Sequence, residues 1–173
     1  AEIVLQGVYR STIEDGQYGY HLSILFNLGT DMEQAEGNST ENYRIIPANA
    51  FPTTQSEVQT TWSSLYAGVY NANDFLERIS SKINTYSDTD RQLATLYIAE
   101  ARALRAMFYF ELVRRYGNIA LMTNTEMSKQ DPRTFVQVKP EKVYEFIEDD
   151  LLYASRILPY ACLLYTSDAA DEA

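Results

Sequence analysis

The sequence predicts an all-α fold of antiparallel helix pairs that are joined by long irregular loops. Three segments, which begin near residues 56, 88 and 140, carry apolar residues at spacings of three and four, the period of an α-helix. Between helical segments the chain holds Gly and Pro without a clear period, above all in residues 30–55. With 173 residues, 46% of them hydrophobic, the chain suffices for one domain with a substantial core.

Residues 1–28 are predicted to form two short helical pieces. The stretch DGQYGY interrupts them, and the second piece ends at Gly29. The single histidine, His21, lies one turn before Leu25 on an apolar stretch. We expect a partly buried structural role for His21 rather than a catalytic or metal-binding one, because no acidic, Cys or second His partner stands at ligand spacing.

Residues 30–55 form the longest irregular segment, and a loop of this length in a compact domain is usually functional or mobile. Tyr43 and Phe51 are aromatic residues on it that can present ring faces to a ligand. The chain is rich in such side chains, with 14 Tyr and 7 Phe, and Tyr suits ligands that need an apolar face and a hydrogen bond. Tyr43 and Phe51 are therefore the candidate ligand-binding residues.

Residues 56 to about 83 are predicted to form the first long helix. Gly68 weakens the interior of this helix by about 1 kcal/mol relative to Ala, so we expect it to mark a close helix crossing. Asn71 and Asn73 lie mid-helix. A buried amide without a hydrogen bond costs on the order of 1–3 kcal/mol, so we expect one of the two to bond a neighbouring backbone group.

The segment Asp88–Gly117 is the longest uninterrupted helical pattern, with no Pro and no internal Gly. Its apolar residues form two stripes, so this central helix is expected to be buried on more than one side. The stripes are Leu96, Ala99, Ala103, Met107 and Phe110, and Tyr97, Ala101, Leu104, Phe108 and Leu112. Polar residues are expected on the remaining arc, where Glu111 can meet Arg114 or Arg115.

Helix ends are predicted from capping residues. Ser56 with Gln59 fits a capping box, and Asp88 fits the N-cap of the central helix. Gly117 is a natural residue to end that helix, and Pro140 fits the first turn of the last one. The short connection after residue 83 requires the first two long helices to run antiparallel.

The last helix carries a predicted buried stripe of Val143, Ile147, Leu151, Ala154 and Leu158. Glu148, Asp149 and Asp150 are consecutive and point to different helical faces, so a solvated edge is favoured over a pair of catalytic carboxylates. Helix pairs at this spacing are similar to tetratricopeptide-type units, which need neighbours to cover their faces, although the strict repeat consensus is not visible.

Charge and motifs exclude several function classes. The formal net charge of −10 argues against a nucleic-acid partner and against a polybasic membrane contact. One His and one Cys, Cys162, leave little room for a zinc site or a Cys–His nucleophile pair. The chain has no glycine-rich phosphate loop, no metal-binding His pair and no nucleophile elbow. We therefore expect neither an enzyme nor a cofactor.

Three blocks of the chain together resemble one known family. The run AEARALRAMFYFELVRRYGNIALMT holds an acidic-Ala-Arg and Leu-Arg-Ala helix that closes on an aromatic residue and Gly117. It resembles the central signature of the SusD/RagB family, the outer-membrane glycan-binding lipoproteins of Bacteroidetes, although Ala120 stands where that family usually has Pro. The blocks TWSSLYAGVYNANDFLERI and VYEFIEDDLLYASRILP resemble the preceding and following helices of the family, so the resemblance covers most of residues 1–160.

The resemblance implies a cell-surface protein that is held in the outer membrane by an upstream lipid anchor. Such a protein captures an oligosaccharide and delivers it to a SusC-like TonB-dependent transporter. The ligand stays open between a glycan, a peptide and another nutrient. Two rival functions also stay open: a helical-repeat module that binds a protein without binding sugar, and a carbohydrate-active enzyme, which would have to turn over a glycan.

Both ends of the chain bear on its domain organisation. The chain starts at Ala1 without Met or a signal peptide, so either processing or an incomplete gene is expected at that end. The tail CLLYTSDAADEA resembles a translated sequencing-adapter read-through, the alternative being an ordinary acidic terminus. We therefore expect a partial SusD-like helical domain in residues 1–161 and a non-native tail in 162–173. Residues 1–161 alone are expected to be poorly soluble, since a truncated helical array exposes apolar faces.

Overall fold

The computed structural model of the protein describes residues 1–25 and 55–159. The α-helices in this part are α1 (Glu2–Thr12), α2 (Ser56–Lys82), α3 (Asp88–Tyr116) and α4 (Pro140–Ile157), and a short π-helical turn spans His21–Leu25. Two-residue strands β1 (Ile119–Ala120) and β2 (Gln137–Val138) pair antiparallel between α3 and α4. The predicted all-α class is confirmed. The long segment predicted over 30–55 lies, apart from its last residue, outside the described residues.

Contacts between helices show that the chain runs back and forth. Trp62, near the start of α2, packs against Tyr116 at the end of α3, with ring centroids 4.8 Å apart. Asn73, further along α2, meets Arg105, earlier on α3, through a 2.7 Å hydrogen bond. The residue numbers rise on one helix as they fall on the other, so α2 and α3 are antiparallel, as predicted.

The central helix α3 packs against α4 in the same antiparallel manner. Arg102 of α3 pairs with Asp150 of α4, while Tyr109 of α3 packs edge-on against Phe146 of α4 at 5.6 Å between centroids. Helix α1 covers α2 from another side, where Asn71 donates a 3.0 Å hydrogen bond to the Ser11 hydroxyl. Helix α3 therefore lies in the middle and is buried on more than one side, as expected.

Burial along α3 differs in part from the predicted stripes. Phe110 is 40% exposed and lies beside the Arg114 guanidinium, whereas Arg105 and Glu111 are buried among the apolar residues. Arg105 is buried because a carboxylate of α4 balances its charge. Glu111 makes ion pairs with both Arg114 and Arg115, the two partners predicted for it.

The two long helices α2 and α3 begin at Ser56 and Asp88, as predicted, but the capping predicted for each is wrong. The N-cap of α3 is Ser87 rather than Asp88, since the Ser87 hydroxyl accepts a 3.2 Å hydrogen bond from the Asp90 amide. Helix α2 is preceded by Gln55, and no side chain caps it because the Ser56 hydroxyl bonds Glu57 instead of closing a capping box. The predicted ends hold better. Gly117 follows α3 with φ of 69°, a conformation that favours glycine, and Pro140 lies in the first turn of α4.

The buried stripe of α4 corrects two expectations. Leu151 is 47% exposed, and Asp150 takes its place in the stripe with 0% exposure, next to buried Ile147 and Ala154. The three consecutive acids therefore do not form a solvated edge. Glu148 and Asp149 are exposed, but Asp150 faces α3 because it lies three residues after Ile147 and four before Ala154, on the same helical face.

Gly68 lies at a close contact between α2 and α3, as predicted. A Cβ atom at this position would lie 2.8 Å from ring atoms of Phe108, closer than carbon atoms pack. The expected backbone bond of a mid-helix amide is also present, since Asn73 donates a 2.9 Å hydrogen bond to the Met122 carbonyl. The absence of a side chain at Gly68 thus lets α2 pack closely against α3. Five residues later, Asn73 links α2 to the segment that follows α3.

Candidate functional site

The two residues predicted to bind ligand, Tyr43 and Phe51, lie outside the described residues, so their placement stays a prediction. His21 is buried, and its Nδ1 atom lies 2.8 Å from the Thr61 hydroxyl, as expected for a structural histidine. Burial lowers the pKa of His21, with nearby Glu57 and Asp15 opposing that shift. Nowhere in residues 1–25 and 55–159 do His, Cys, Asp and Glu side chains group as a metal site would require.

A buried ion cluster ties α3 to α4. The Asp150 carboxylate accepts hydrogen bonds from Arg105 Nε and Nη2, both at 2.8 Å, and from Arg102 Nε at 2.6 Å. Arg102 Nη2 also reaches the exposed Asp149 at 2.5 Å. Two arginines therefore share two carboxylates. Burial of this charge is tolerated because each ion has a partner and well-directed hydrogen bonds.

The guanidinium groups of the cluster also stack on aromatic rings of α4. Arg102 lies 4.3 Å from the ring centroid of Tyr153, and Arg105 lies 4.7 Å from that of Phe146. The remaining arm of Arg105 donates to Asn73 on α2. Because carboxylates, an amide and ring faces contact the arginines, the cluster holds three helices together.

One backbone segment after α3 is fixed by side chains of two helices. The Tyr109 hydroxyl donates to the Met122 carbonyl at 2.6 Å and accepts from the Met122 amide at 2.8 Å. Asn73 donates to the same carbonyl. Burial raises the pKa of Tyr109, which keeps the hydroxyl protonated and able to donate. These bonds hold one wall of an aromatic cavity, which we call the Trp62 groove.

The Trp62 groove lies between α2 and the β1–β2 pair and encloses a cavity of about 390 Å³. Its lining includes Trp62, Ser63, Tyr66, Ala120, Phe135 and Gln137. The rings of Trp62 and Tyr66 lie 4.8 Å apart with 53° between their planes. The Tyr66 hydroxyl donates a 2.8 Å hydrogen bond to the Ala120 carbonyl of β1, so this bond fixes the position of the Tyr66 ring.

The groove combines ring faces with unengaged polar groups. Among the described residues, no charged side chain lines it. Ser63 and Gln137 are exposed, and within the described part of the chain their side chains make no hydrogen bond. An apolar cavity with a few polar groups at its rim is the usual form of a small-molecule binding site.

The groove was not predicted from sequence. One signal for it was present, since Trp62 and Tyr66 are aromatic residues one helical turn apart and Ser63 lies beside them. The opposite wall gave no such signal, because Phe135 and Gln137 belong to a connection without periodicity. No described helix combines the length and apolar character that crossing a membrane requires.

Comparison with known proteins gives one family. A SusD-like family model, described as starch-binding and associating with the outer membrane, matches residues 3–170. Among curated proteins, the SusD-like protein P38 of Formosa agariphila is 28% identical over 122 residues, which cover 70% of this chain and 22% of that protein.

Solved structures agree with that family. The crystal structure of a SusD homologue from Bacteroides thetaiotaomicron is 70% identical, with a TM-score of 0.88 over 92% of this chain and 30% of the other. A laminarin-binding SusD-like protein is 27% identical, with a TM-score of 0.74 over 91% of this chain and 33% of the other. The chain thus spans between about a fifth and a third of the length of these relatives.

Proposed function

The chain belongs to the SusD-like family of starch-binding proteins associated with the outer membrane, and we propose that it captures oligosaccharides at the cell surface for import. The observation that carries this proposal is the family match over residues 3–170. The fold shared with a laminarin-binding relative supports it. The rival helical-repeat module predicts binding to a protein and no affinity for glycans.

Sugar capture requires groups that this chain has in quantity. A pyranose ring offers an apolar C–H face and a rim of hydroxyls, and Tyr, Phe and Trp side chains meet the first while polar side chains meet the second. We assign the same role to Tyr43 and Phe51 on the long segment. Support for these two residues comes from their aromatic character and from the length of that segment.

The proposal extends to location and partner. We propose a surface-exposed position in the outer membrane, through a lipid anchor upstream of Ala1, and the family's association with the outer membrane supports this location. A SusC-like TonB-dependent transporter is the proposed recipient of the glycan. We also propose that the protein binds its ligand without chemical change. The laminarin-binding relative, which shares this fold, supports a binding role.

Affinity electrophoresis against a polysaccharide panel tests the proposed function. The panel holds starch, laminarin, xyloglucan and polygalacturonate, each cast into a native gel. We expect at least one neutral glycan to retard the protein, and Tyr43→Ala with Phe51→Ala to reduce the retardation. The control is Tyr144→Ala, which removes an exposed tyrosine on α4. Unchanged migration in every gel, together with glycan hydrolysis or tight binding of a protein ligand, would refute the proposal.

A further inference from the structure

We propose that the Trp62 groove is a binding subsite for a short stretch of a neutral pyranose glycan. The inference depends on the proposed function, because it takes a glycan as the ligand, and it adds a place on the molecule and a chemical class. Trp62, Tyr66 and Phe135 supply the apolar surface, and Ser63 and Gln137 supply the hydrogen bonds. Neither Tyr43 nor Phe51 enters this argument.

The rings of the groove are held before any ligand arrives. Trp62 packs edge-on against Tyr116 at 4.8 Å between centroids, and Tyr116 donates a 2.8 Å hydrogen bond to the Val58 carbonyl. Tyr66 is fixed through its hydroxyl on Ala120. A site built from rigid side chains on a helix loses little conformational entropy on binding, which favours affinity for a weakly interacting ligand such as a sugar.

The polar groups at the rim match hydroxyls. Gln137 carries one acceptor oxygen and two N–H donors, and Ser63 carries a hydroxyl that both donates and accepts. Within the described residues these side chains have no protein partner, so a ligand can bond them without breaking an internal hydrogen bond. A peptide would leave the ring faces to whichever side chain it happened to carry, whereas every pyranose unit offers a C–H face and hydroxyls together.

Charge and size define the class further. The lining residues that the structure describes are all uncharged and so offer a uronate or sulfate group no counter-ion, and the formal net charge of −10 repels polyanions at long range. The volume of about 390 Å³ lies at the small end of ligand pockets, roughly 300–1,000 Å³. A few units of a neutral chain fit these limits better than an acidic polysaccharide does.

The single tryptophan of the chain makes the groove directly observable. The protein is titrated with laminarihexaose, with maltoheptaose and with oligogalacturonate while Trp62 fluorescence is recorded. The protein is kept at high dilution, because dilution disfavours self-association. We expect a saturable change in emission and reduced acrylamide quenching with a neutral oligosaccharide and none with oligogalacturonate. Gln137→Ala should weaken binding about fivefold, the value of roughly one hydrogen bond, while Gln130→Ala, an exposed glutamine outside the groove, should leave it unchanged.

The outcomes separate this inference from the proposed function. If a glycan retards the protein in gels but leaves Trp62 emission and the Gln137→Ala affinity unchanged, the groove is not a subsite and glycan capture still stands. If oligogalacturonate changes Trp62 emission as much as a neutral oligosaccharide does, the proposal that the ligand is a neutral glycan is refuted. If no glycan binds in either assay, both proposals fail. Circular dichroism of Gln137→Ala must match that of Gln130→Ala, which shows that an affinity loss is not a folding loss.

Discussion

Asp150 shows how a single side chain can set the position of a helix. It is fully buried, yet its charge is balanced by Arg105 and Arg102, which approach from α3. A buried ion pair contributes little compared with a well-packed apolar pair, but removing one of its members leaves an uncompensated charge in the interior. The cluster therefore makes the α3–α4 contact sensitive to one residue.

Replacement of the buried carboxylate tests this sensitivity. Asp150→Asn is expected to lower the free energy of unfolding by about 3 kcal/mol, because Arg105 remains buried without its counter-ion. The control Asp149→Asn removes the neighbouring exposed carboxylate and should cost less than about 1 kcal/mol. Urea unfolding followed by circular dichroism measures both. Equal midpoints for the two variants would contradict a structural role for the cluster.

Buried tyrosines predict a loss of stability in alkali. Burial raises the pKa of Tyr116 to about 12, and it also raises the pKa of the fully buried Tyr109. An unfolded tyrosine loses its proton near pH 10. Between pH 10 and 12 the folded state therefore holds more protons than the unfolded state, so the free energy of unfolding falls as pH rises.

Alkaline unfolding checks the sign of this effect. Thermal melts at steps from pH 8 to about 12 should give a flat midpoint below pH 10 and a falling one above it. Tyr116→Phe should reduce the slope above pH 10, and Tyr144→Phe, on an exposed position, should not. A midpoint that rises with pH in this window would rule the assignment out.

The sequence was informative about some residues and misleading about others. Gly68 and Asn73 behave as predicted, since a glycine or an amide inside a helix has a cost that local structure cannot offset. Asp150 was misjudged, although its spacing from Ile147 and Ala154 places it on the apolar face. What the pattern could not supply was the pair of arginines on another helix that makes its burial acceptable.

At the scale of elements, the crossing of α2 and α3 depends on a missing side chain. Gly68→Ala would place a Cβ 2.8 Å from the Phe108 ring, and we expect a loss of about 1–3 kcal/mol from overpacking. Gly7 is the matched control, because a Cβ there meets nothing within 4 Å. Gly7→Ala in α1 should stabilise by about 0.5–1 kcal/mol through helix propensity. We expect the denaturant midpoint to fall for Gly68→Ala and to rise for Gly7→Ala, relative to the unsubstituted protein.

Elements were predictable where the information is local. Helices α2, α3 and α4 follow from apolar periodicity, and Gly117 and Pro140 from the backbone conformations that these residues favour. The β1–β2 pair was not foreseen, since strands of two residues have no period and their pairing depends on the chain returning after a long connection. The Trp62 groove could not be predicted for the same reason, because one of its walls belongs to this connection.

At the scale of the whole molecule, apolar residues remain exposed on the outer face of α4 and on α1. They include Leu151, Leu152, Ile3 and Val4. Tetratricopeptide-type helices bury such faces against further helices, and the relatives are several times longer than this chain. Residues 1–161 expressed alone are therefore expected to self-associate.

Light scattering after size exclusion tests this expectation on residues 1–161. The double substitution Leu151→Lys and Leu152→Lys should raise the monomer fraction, since it charges the exposed face of α4. Val136→Ser removes an even more exposed apolar residue, which lies on the connection and not on a helix face, and should have little effect. A monodisperse wild-type sample that melts cooperatively would count against the prediction.

The double attachment of Met122 has a consequence for the order of assembly. Its carbonyl oxygen accepts hydrogen bonds from two different helices, through Asn73 of α2 and Tyr109 of α3. Neither helix alone can supply both hydrogen bonds. The chain beyond Gly117 can therefore dock only after α2 and α3 have packed together in the correct register. A sliding error between the two helices would leave this stretch of backbone unanchored, and the aromatic cavity beside it would not close.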